Sequence, residues 1–136
     1  MELINERAKT DSRIKIFGFL PSRLDLLKKQ QEATMLISTR DPSEPASKYC
    51  FPSKIFEYMV SGNPVISTRI DGIPDEYFEY LVELPDLSAQ TISEKIKLIG
   101  DMSEQERSAL GKDAREFVLS QKNNIEQMKR VLKFVL

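Results

Sequence analysis

A helix start, a lysine and a glutamate lie within one turn of each other in residues 51–68, which read FPSKIFEYMVSGNPVIST. If Ser53 is the N-cap and Lys54 the first helical residue, then Lys54, Glu57 and Ser61 share one arc, because successive helical residues are about 100° apart. The free N–H groups of a helix start favour an anion such as phosphate, and Lys54 adds positive charge. Glu57 could then accept hydrogen bonds from a ribose diol, as acidic residues do in nucleotide sites. The spacing indicates half a nucleotide site, and it also fits an exposed Lys54–Glu57 ion pair worth about 0.3 kcal/mol.

The same predicted helix has a second arc, which is apolar and formed by Ile55, Phe56, Met59 and Val60. This arc is expected to face a sheet, and Gly62 is expected to end the helix. We predict that Phe56 and Met59 are buried, whereas Glu57 is accessible at the carboxyl edge of the sheet, close to the loop 18–22.

The elements around this helix alternate between strands and helices. Short apolar runs predict strands, and runs with helical spacing or capping signals predict helices. This alternation predicts an α/β fold with a doubly wound parallel sheet, in which ligands bind outside the carboxyl ends of the strands. The predicted strands are 13–19, 34–39, 65–68 and 81–84. The predicted helices are 1–11, 23–33, 54–61, one that begins at Pro74, and those after Pro85, and a long loop is predicted at 40–52.

Composition excludes several classes of protein. The 136 residues suit one domain, and the formal charge of −1 without a lysine-arginine block gives no support to nucleic acid as a partner. Cys50 is the one cysteine and there is no histidine, so a disulfide framework, a common zinc site and a histidine-based triad are excluded. No apolar stretch reaches the roughly 18 residues of a spanning helix, and the polar start at Met1 does not read as a signal peptide, so we expect a cytoplasmic location.

The chain resembles the donor-binding C-terminal domain of the retaining glycosyltransferases of family 4. The resemblance lies in residues 51–68 followed by RIDGIPDE, with GFLP at 18–21 upstream, and it extends in order over essentially the whole chain. It implies the GT-B fold of two Rossmann-like domains and hexosyl transfer from a nucleotide-diphosphate sugar in the synthesis of a surface polysaccharide or glycolipid. It implies no metal and no cofactor besides the donor, and a full-length enzyme that is cytoplasmic or peripheral to the inner face of the membrane.

The resemblance also assigns roles to residues. It places the donor ribose at Glu57, the donor diphosphate at Ser53 and Lys54, and the nucleobase edge at Phe19, Leu20 and Ser22. Tyr49 stands where the family has the glutamate that faces the donor sugar, and Asp71 replaces the first glycine of a Gly-Gly loop, either altering that loop or serving as a turn residue.

A complete family member has further parts that the resemblance does not find in residues 1–136, namely a first strand, a basic diphosphate clamp and an acceptor domain. We therefore expect one truncated donor domain that binds nucleotide weakly, with a Kd of about 1 mM, and that shows no transfer by itself. Two alternatives are a nucleotide-sugar epimerase-like domain, which the absence of histidine disfavours, and a non-catalytic Rossmann-type binding or interaction module.

The last predicted helix, from about Asn124, carries an apolar stripe formed by Ile125, Met128, Val131, Leu132 and Val135. Burial of a large aliphatic side chain contributes about 1.5–3 kcal/mol, so we expect this stripe to be covered. It would pack on its own domain or, in our preferred interpretation, form a homodimer.

Overall fold

The computed structural model describes residues 2–135 and contains, in that range, three strands, seven α-helices and one 3₁₀ helix. The strands are β1 (Leu36–Ser38), β2 (Val65–Thr68) and β3 (Val82–Leu84). The helices are α1 (Glu2–Thr10), α2 (Arg23–Glu32), α3 (Pro45–Tyr49), α4 (Ser53–Ser61), α5 (Ala89–Asp101), α6 (Glu104–Gln121) and α7 (Asn124–Val135), and the 3₁₀ helix covers Asp75–Glu79. Within this range, no helix combines the length and the apolar character needed to cross a membrane.

The three strands form one parallel sheet in the order β1-β2-β3. Ile66 of β2 lies between Ile37 of β1 and Val82 of β3. Because the strands run in the same direction, their carboxyl ends meet at one edge, and each connection crosses back to the other edge before the next strand begins. The predicted α/β class is therefore confirmed, with a small parallel sheet.

Apolar clusters lie on both faces of the central strand β2, all of whose residues are buried. Val65 belongs to the larger cluster, which includes Met59 of α4 and Phe117 of α6. Ile66 belongs to a second cluster with Leu84 of β3 and Ile99 of α5. Since neighbouring residues of a strand point to opposite faces, the two clusters lie on opposite sides of the sheet. An uncharged strand such as VIST, with two β-branched aliphatic residues followed by a small serine and a β-branched threonine, is compatible with burial on both faces of a parallel sheet.

Helix α4 packs its apolar arc much as the sequence predicts, with one correction. Ile55 and Met59 are fully buried, but Phe56 is only half-buried, so the prediction that its side chain is buried was wrong. The ring of Phe56 lies at the margin of the core, in edge contact with Phe51 at 5.1 Å between ring centroids. Gly62 ends the helix in the left-handed conformation, at φ +82°, as predicted.

The predicted strand at 13–19 is not formed, because no strand of the described chain pairs with it. The sheet ends at β1, and residues 13–19 are irregular, with Ile14, Ile16 and Phe17 exposed. Apolar side chains give a segment the composition of a strand, but an isolated strand has no partner for its backbone groups.

Two other segments differ from the sequence-based prediction. The long loop predicted at 40–52 contains the short helix α3, which begins with Pro45 at its first position, where a missing N–H costs nothing. Pro74 is the N-cap of a 3₁₀ helix and not the first residue of an α-helix. The tighter helix is held by bonds between residues three apart, from the Tyr77 N–H to the Pro74 carbonyl and from the Tyr80 N–H to the Tyr77 carbonyl, both at 3.0 Å.

The C-terminal helix α7 is formed where predicted, but its apolar stripe is not covered within the described chain. The side chains of the stripe are between 49% and 73% exposed, and α7 has no buried residue. The expected packing on its own domain is therefore not observed, and the homodimer stays a prediction.

Candidate nucleotide-binding clefts

The start of α4 lies at the carboxyl edge of the sheet, because α4 follows β1 and returns to the beginning of β2. Pro52 is the N-cap residue, so Ser53 is the first helical residue and not the cap that the sequence predicted. No side chain caps this helix, and the Ile55 N–H donates to the Pro52 carbonyl at 2.9 Å. The N–H groups of Ser53 and Lys54 therefore remain available to solvent or to a bound anion. The one-residue shift leaves Ser53 and Lys54 at the helix start.

An open cleft of about 500 Å³ lies at this helix start and separates it from the end of β1. We call it the polar cleft. Its walls carry hydroxyl groups from β1 and the segment after it, together with two cationic side chains, Arg40 and Lys54. The residues that line it are Ile37, Ser38, Thr39, Arg40, Phe51, Pro52, Ser53, Lys54 and Tyr58.

Arg40 was not identified from the sequence, and the structure holds it in place by hydrogen bonds. Its backbone carbonyl accepts from Thr68 Oγ1 at 2.6 Å, and its side-chain Nε donates to Ser47 Oγ at 3.1 Å. The buried Ser47 hydroxyl in turn donates to the Asp41 carbonyl at 2.6 Å. This network leaves the terminal guanidinium nitrogens of Arg40 for an anion in the polar cleft, as a partner for Lys54. The sequence around Arg40 contains no pattern that predicts a role in binding.

A second cleft of about 560 Å³ lies among α2, α4 and the segment 17–20. We call it the apolar cleft. It brings together the predicted nucleobase-edge residues Phe19, Leu20 and Ser22 with the predicted ribose residue Glu57. Gly18 has φ +59°, which turns the chain between the two phenylalanines of this segment. The residues that line the cleft are Phe17, Gly18, Phe19, Leu20, Ser22, Arg23, Leu26, Lys29, Gln30, Lys54, Glu57 and Tyr58.

The two clefts adjoin each other, since Lys54 and Tyr58 line both. Tyr58, which the sequence did not single out, is half-buried at this junction. Burial raises the pKa of its phenol, and the neighbouring Glu57 carboxylate raises it further. Tyr58 therefore stays protonated at neutral pH, as a hydrogen-bond donor between the polar and the apolar cleft.

Glu57 does not pair with Lys54 in the structure, which argues against the simple ion pair that the sequence left open. Its nearest cation in the described chain is Arg23, with 3.8 Å between Arg23 Nη2 and Glu57 Oε1. Arg23 is largely exposed, and an ion pair this long and this accessible contributes little to stability. The Glu57 carboxylate is thus partly accessible within the apolar cleft and keeps its capacity to accept hydrogen bonds.

The side chain of Ser22 has a structural task. Its hydroxyl accepts from the Asp25 N–H at 3.1 Å and donates to Asp25 Oδ2 at 2.7 Å, so it caps α2. The hydroxyl proton of Ser22 is therefore used within the helix cap.

Tyr49, at the position where the resembling family has a donor-sugar glutamate, lies apart from both clefts. Its side chain is 80% exposed at the end of α3, with Lys48 Nζ 5.7 Å from the ring centroid. The structure does not bring Tyr49 together with Lys54 and Glu57, since it lines neither cleft.

The loop that contains Asp71 packs against α3 through the next residue. The Gly72 N–H donates to the Ser47 carbonyl at 3.0 Å, and a Cβ at Gly72 would lie 2.7 Å from the Cys50 carbonyl carbon. Only glycine allows this approach. Asp71 itself is exposed.

Within residues 2–135, no group of three or more carboxylate or thiol side chains comes together in a way that could hold a metal ion. No protein-family model, no curated protein and no solved structure matches the chain. The function is therefore inferred from the two clefts and from the motif in residues 51–68.

Proposed function

We propose that this chain binds a nucleotide-diphosphate sugar across the polar and apolar clefts, as the donor domain of a retaining glycosyltransferase with the GT-B fold. The observation that carries the proposal is that Lys54 and Glu57 lie one turn apart and line adjoining clefts. Lys54 lines the polar cleft with Arg40, and Glu57 lines the apolar cleft with Phe17 and Phe19. The three-stranded sheet would then be one part of a doubly wound sheet.

The clefts suit the three parts of a nucleotide donor. The diphosphate fits the polar cleft, where Arg40, Lys54 and the free N–H groups of α4 offer positive charge. Glu57 lies about 4.5 Å further along the helix axis, at a distance appropriate to the ribose diol. The phenylalanines of the apolar cleft offer the surface on which a base stacks.

This arrangement also suits the chemistry of transfer. When the bond between the anomeric carbon and the diphosphate oxygen breaks, the departing diphosphate gains negative charge. Fixed cations and N–H groups at its position stabilise that charge. In the proposed function, Arg40, Lys54 and the start of α4 therefore hold the leaving group, while the acceptor and the sugar are handled by groups outside the two clefts.

A second candidate is a nucleotide-binding module without transfer activity. The observation that favours it is the position of Tyr49, which is exposed and lines neither cleft. Both candidates bind nucleotide at the same site, and they differ in whether the sugar is transferred.

The binding step is tested by titrating the ¹⁵N-labelled chain with UDP, GDP, ADP and CDP and following its amide resonances by NMR. We expect at least one nucleotide to bind with a Kd of about 1 mM and to shift the resonances of residues 53–58. Glu57→Gln should weaken that binding about tenfold or more, since a hydrogen bond to a charged group contributes about 1.5–3 kcal/mol. Glu116→Gln is the matched control, because Glu116 is exposed on α6 and lines neither cleft.

Two results would reject the proposal. One is the absence of shifts for all four nucleotides at about 10 mM, some ten times the expected Kd. The other is equal binding by the wild type and Glu57→Gln. Turnover of a nucleotide sugar by these 136 residues alone would contradict the assignment of the transfer step to groups outside the clefts.

A further inference from the structure

Gln30 is a buried polar residue whose side-chain oxygen has no hydrogen-bond partner among residues 2–135. It lies in the last turns of α2 and is only 6% exposed. Its Oε1 atom is buried and accepts no hydrogen bond from the described residues. Buried polar atoms are almost always paired, because an unpaired one loses its bonds to water without replacement. The unpaired oxygen of Gln30 therefore indicates a hydrogen-bond donor that does not belong to the described residues.

The backbone around Gln30 is firmly held, so the unpaired side chain is not the result of a loose helix end. Asn63 Nδ2 donates to the Gln30 carbonyl at 2.8 Å and to the Gln31 carbonyl at 3.1 Å. These bonds tie the end of α2 to the turn that precedes β2. The main chain is thus fixed, whereas the side-chain oxygen of Gln30 is available to a ligand.

Gln30 also lines the apolar cleft, together with Phe17, Phe19 and Leu26. Lys29 Nζ lies 5.6 Å from the centroid of the Phe17 ring. Most of the surface of the cleft is apolar, and the charged side chains of Arg23, Lys29, Lys54 and Glu57 also line it. A wall of this kind with one amide in it matches the way in which proteins recognise a heteroaromatic base, by stacking on its faces and by hydrogen bonds to its edge.

We infer that the amide of Gln30 recognises the hydrogen-bonding edge of the nucleobase and thereby sets the base preference of the site. This inference rests on the proposed nucleotide function. Rotation of the Gln30 side chain brings the buried Oε1 to the cleft that the residue lines, where it accepts from an N–H of the base while the amide nitrogen donates to a neighbouring ring nitrogen or carbonyl oxygen. An amide pairs in this bidentate manner with a base edge that has a donor beside an acceptor.

The experiment measures the affinity of UDP, GDP, ADP and CDP for the wild type and for Gln30→Met, with Gln31→Met as the matched control. Gln31 is the neighbouring glutamine, which is exposed and does not line the cleft. We expect the wild type to prefer one base. We expect Gln30→Met to bind that nucleotide about fivefold to tenfold more weakly, as the loss of one or two neutral hydrogen bonds predicts, and to lose most of the preference.

A thermal unfolding measurement separates recognition from a structural role. Methionine has nearly the shape of glutamine and removes the unpaired buried oxygen. Gln30→Met should therefore be at least as stable as the wild type, although it binds nucleotide more weakly. A variant that loses both stability and affinity would contradict the inference.

A change in the ligand tests the same contact without any variant. Methylation of the ring N–H of the preferred base, or of its exocyclic amine where it has no ring N–H, should weaken binding to the wild type about tenfold. If the wild type binds nucleotide but Gln30→Met or the methylated ligand binds equally well, or if all four bases bind alike, the role of Gln30 is wrong and the nucleotide site stands. If the wild type binds no nucleotide, both proposals are wrong.

Discussion

Substitution of Gly111 by alanine should destabilise the fold, even though alanine is the better helix former. Gly111 is buried on α6, where this helix meets the end of α4. A Cβ atom at Gly111 would lie 2.5 Å from the carbonyl carbon of Gly62 and 2.9 Å from the Cα atom of Asn63, and closer still to the Gly62 oxygen. Ordinary contacts between carbon atoms are about 3.5–4.0 Å, so α6 and the turn 62–63 would have to separate by about 1 Å.

The size of the effect follows from two opposing terms. Replacing glycine by alanine in a helix interior gains about 1 kcal/mol. Overpacking of a well-packed core costs about 1–3 kcal/mol, occasionally more. The cost at Gly111 should reach or exceed the upper end of that range, because the obstructing atoms are backbone and the turn also holds α2 through the Asn63 side chain. The net change is a loss of about 2 kcal/mol or more.

Urea denaturation followed by circular dichroism measures this change. With a slope of about 2 kcal/mol/M, a loss of about 2 kcal/mol lowers the midpoint by about 1 M. Gly100→Ala is the matched control, because Gly100 is an exposed glycine of α5 with nothing within 4 Å of the Cβ position. That variant should be as stable as the wild type or up to about 1 kcal/mol more stable. Equal midpoints for Gly111→Ala and Gly100→Ala would refute the close packing of α6 on the end of α4.

Three further predictions concern pH and association. Burial, with a smaller contribution from Glu76, raises the pKa of Tyr77 to about 12. Because the tyrosine of the unfolded chain ionises near pH 10, the free energy of unfolding should fall between pH 10 and 12. Unfolding measured across that range should show a smaller fall in Tyr77→Phe. The Arg69 guanidinium lowers the pKa of Glu83 below its usual 4.5, so the stability that this ion pair contributes is complete above about pH 5 and is lost as the pH falls below 4.5. Between pH 6 and 3 the free energy of unfolding should therefore fall less in Arg69→Met than in the wild type. Parallel curves for the two proteins would contradict this. The exposed stripe of α7 should associate with a second copy, so light scattering at about 0.1 mM should show a dimer that Leu132→Glu abolishes, and a monomer at that concentration would reject it.

Local sequence signals predicted the elements that depend on local interactions. Ser103 and Glu106 have the spacing of a capping box in the sequence, and the box is formed at the start of α6. The Glu106 N–H donates to Ser103 Oγ at 3.2 Å, and the Ser103 N–H donates to Glu106 Oε2 at 2.8 Å. The helix end at Gly62 and the short strand β2 were predicted for the same reason, since glycine, proline and apolar runs act through the nearest neighbours.

Features that depend on distant parts of the chain were predicted less well. Residues 13–19 have the composition of a strand, but strand formation needs a partner, and the sequence does not say whether one is beside it. Phe56 lies on the predicted apolar arc, yet its burial depends on how far the aromatic cluster extends. Gln30 and Arg40 carry no local pattern, and only the fold brings them to the clefts of Lys54 and Glu57.

If Glu57 holds a ribose, the wild type should bind a ribonucleotide more tightly than its 2′-deoxy counterpart. A carboxylate that accepts hydrogen bonds from the diol loses one of them when the 2′-hydroxyl is absent, which corresponds to about a tenfold loss of affinity. NMR titration of the wild type with the preferred nucleoside diphosphate and its 2′-deoxy form should therefore show about tenfold discrimination, and Glu57→Gln should show much less. Equal affinity of the wild type for the two nucleotides would show that Glu57 does not bind the ribose diol.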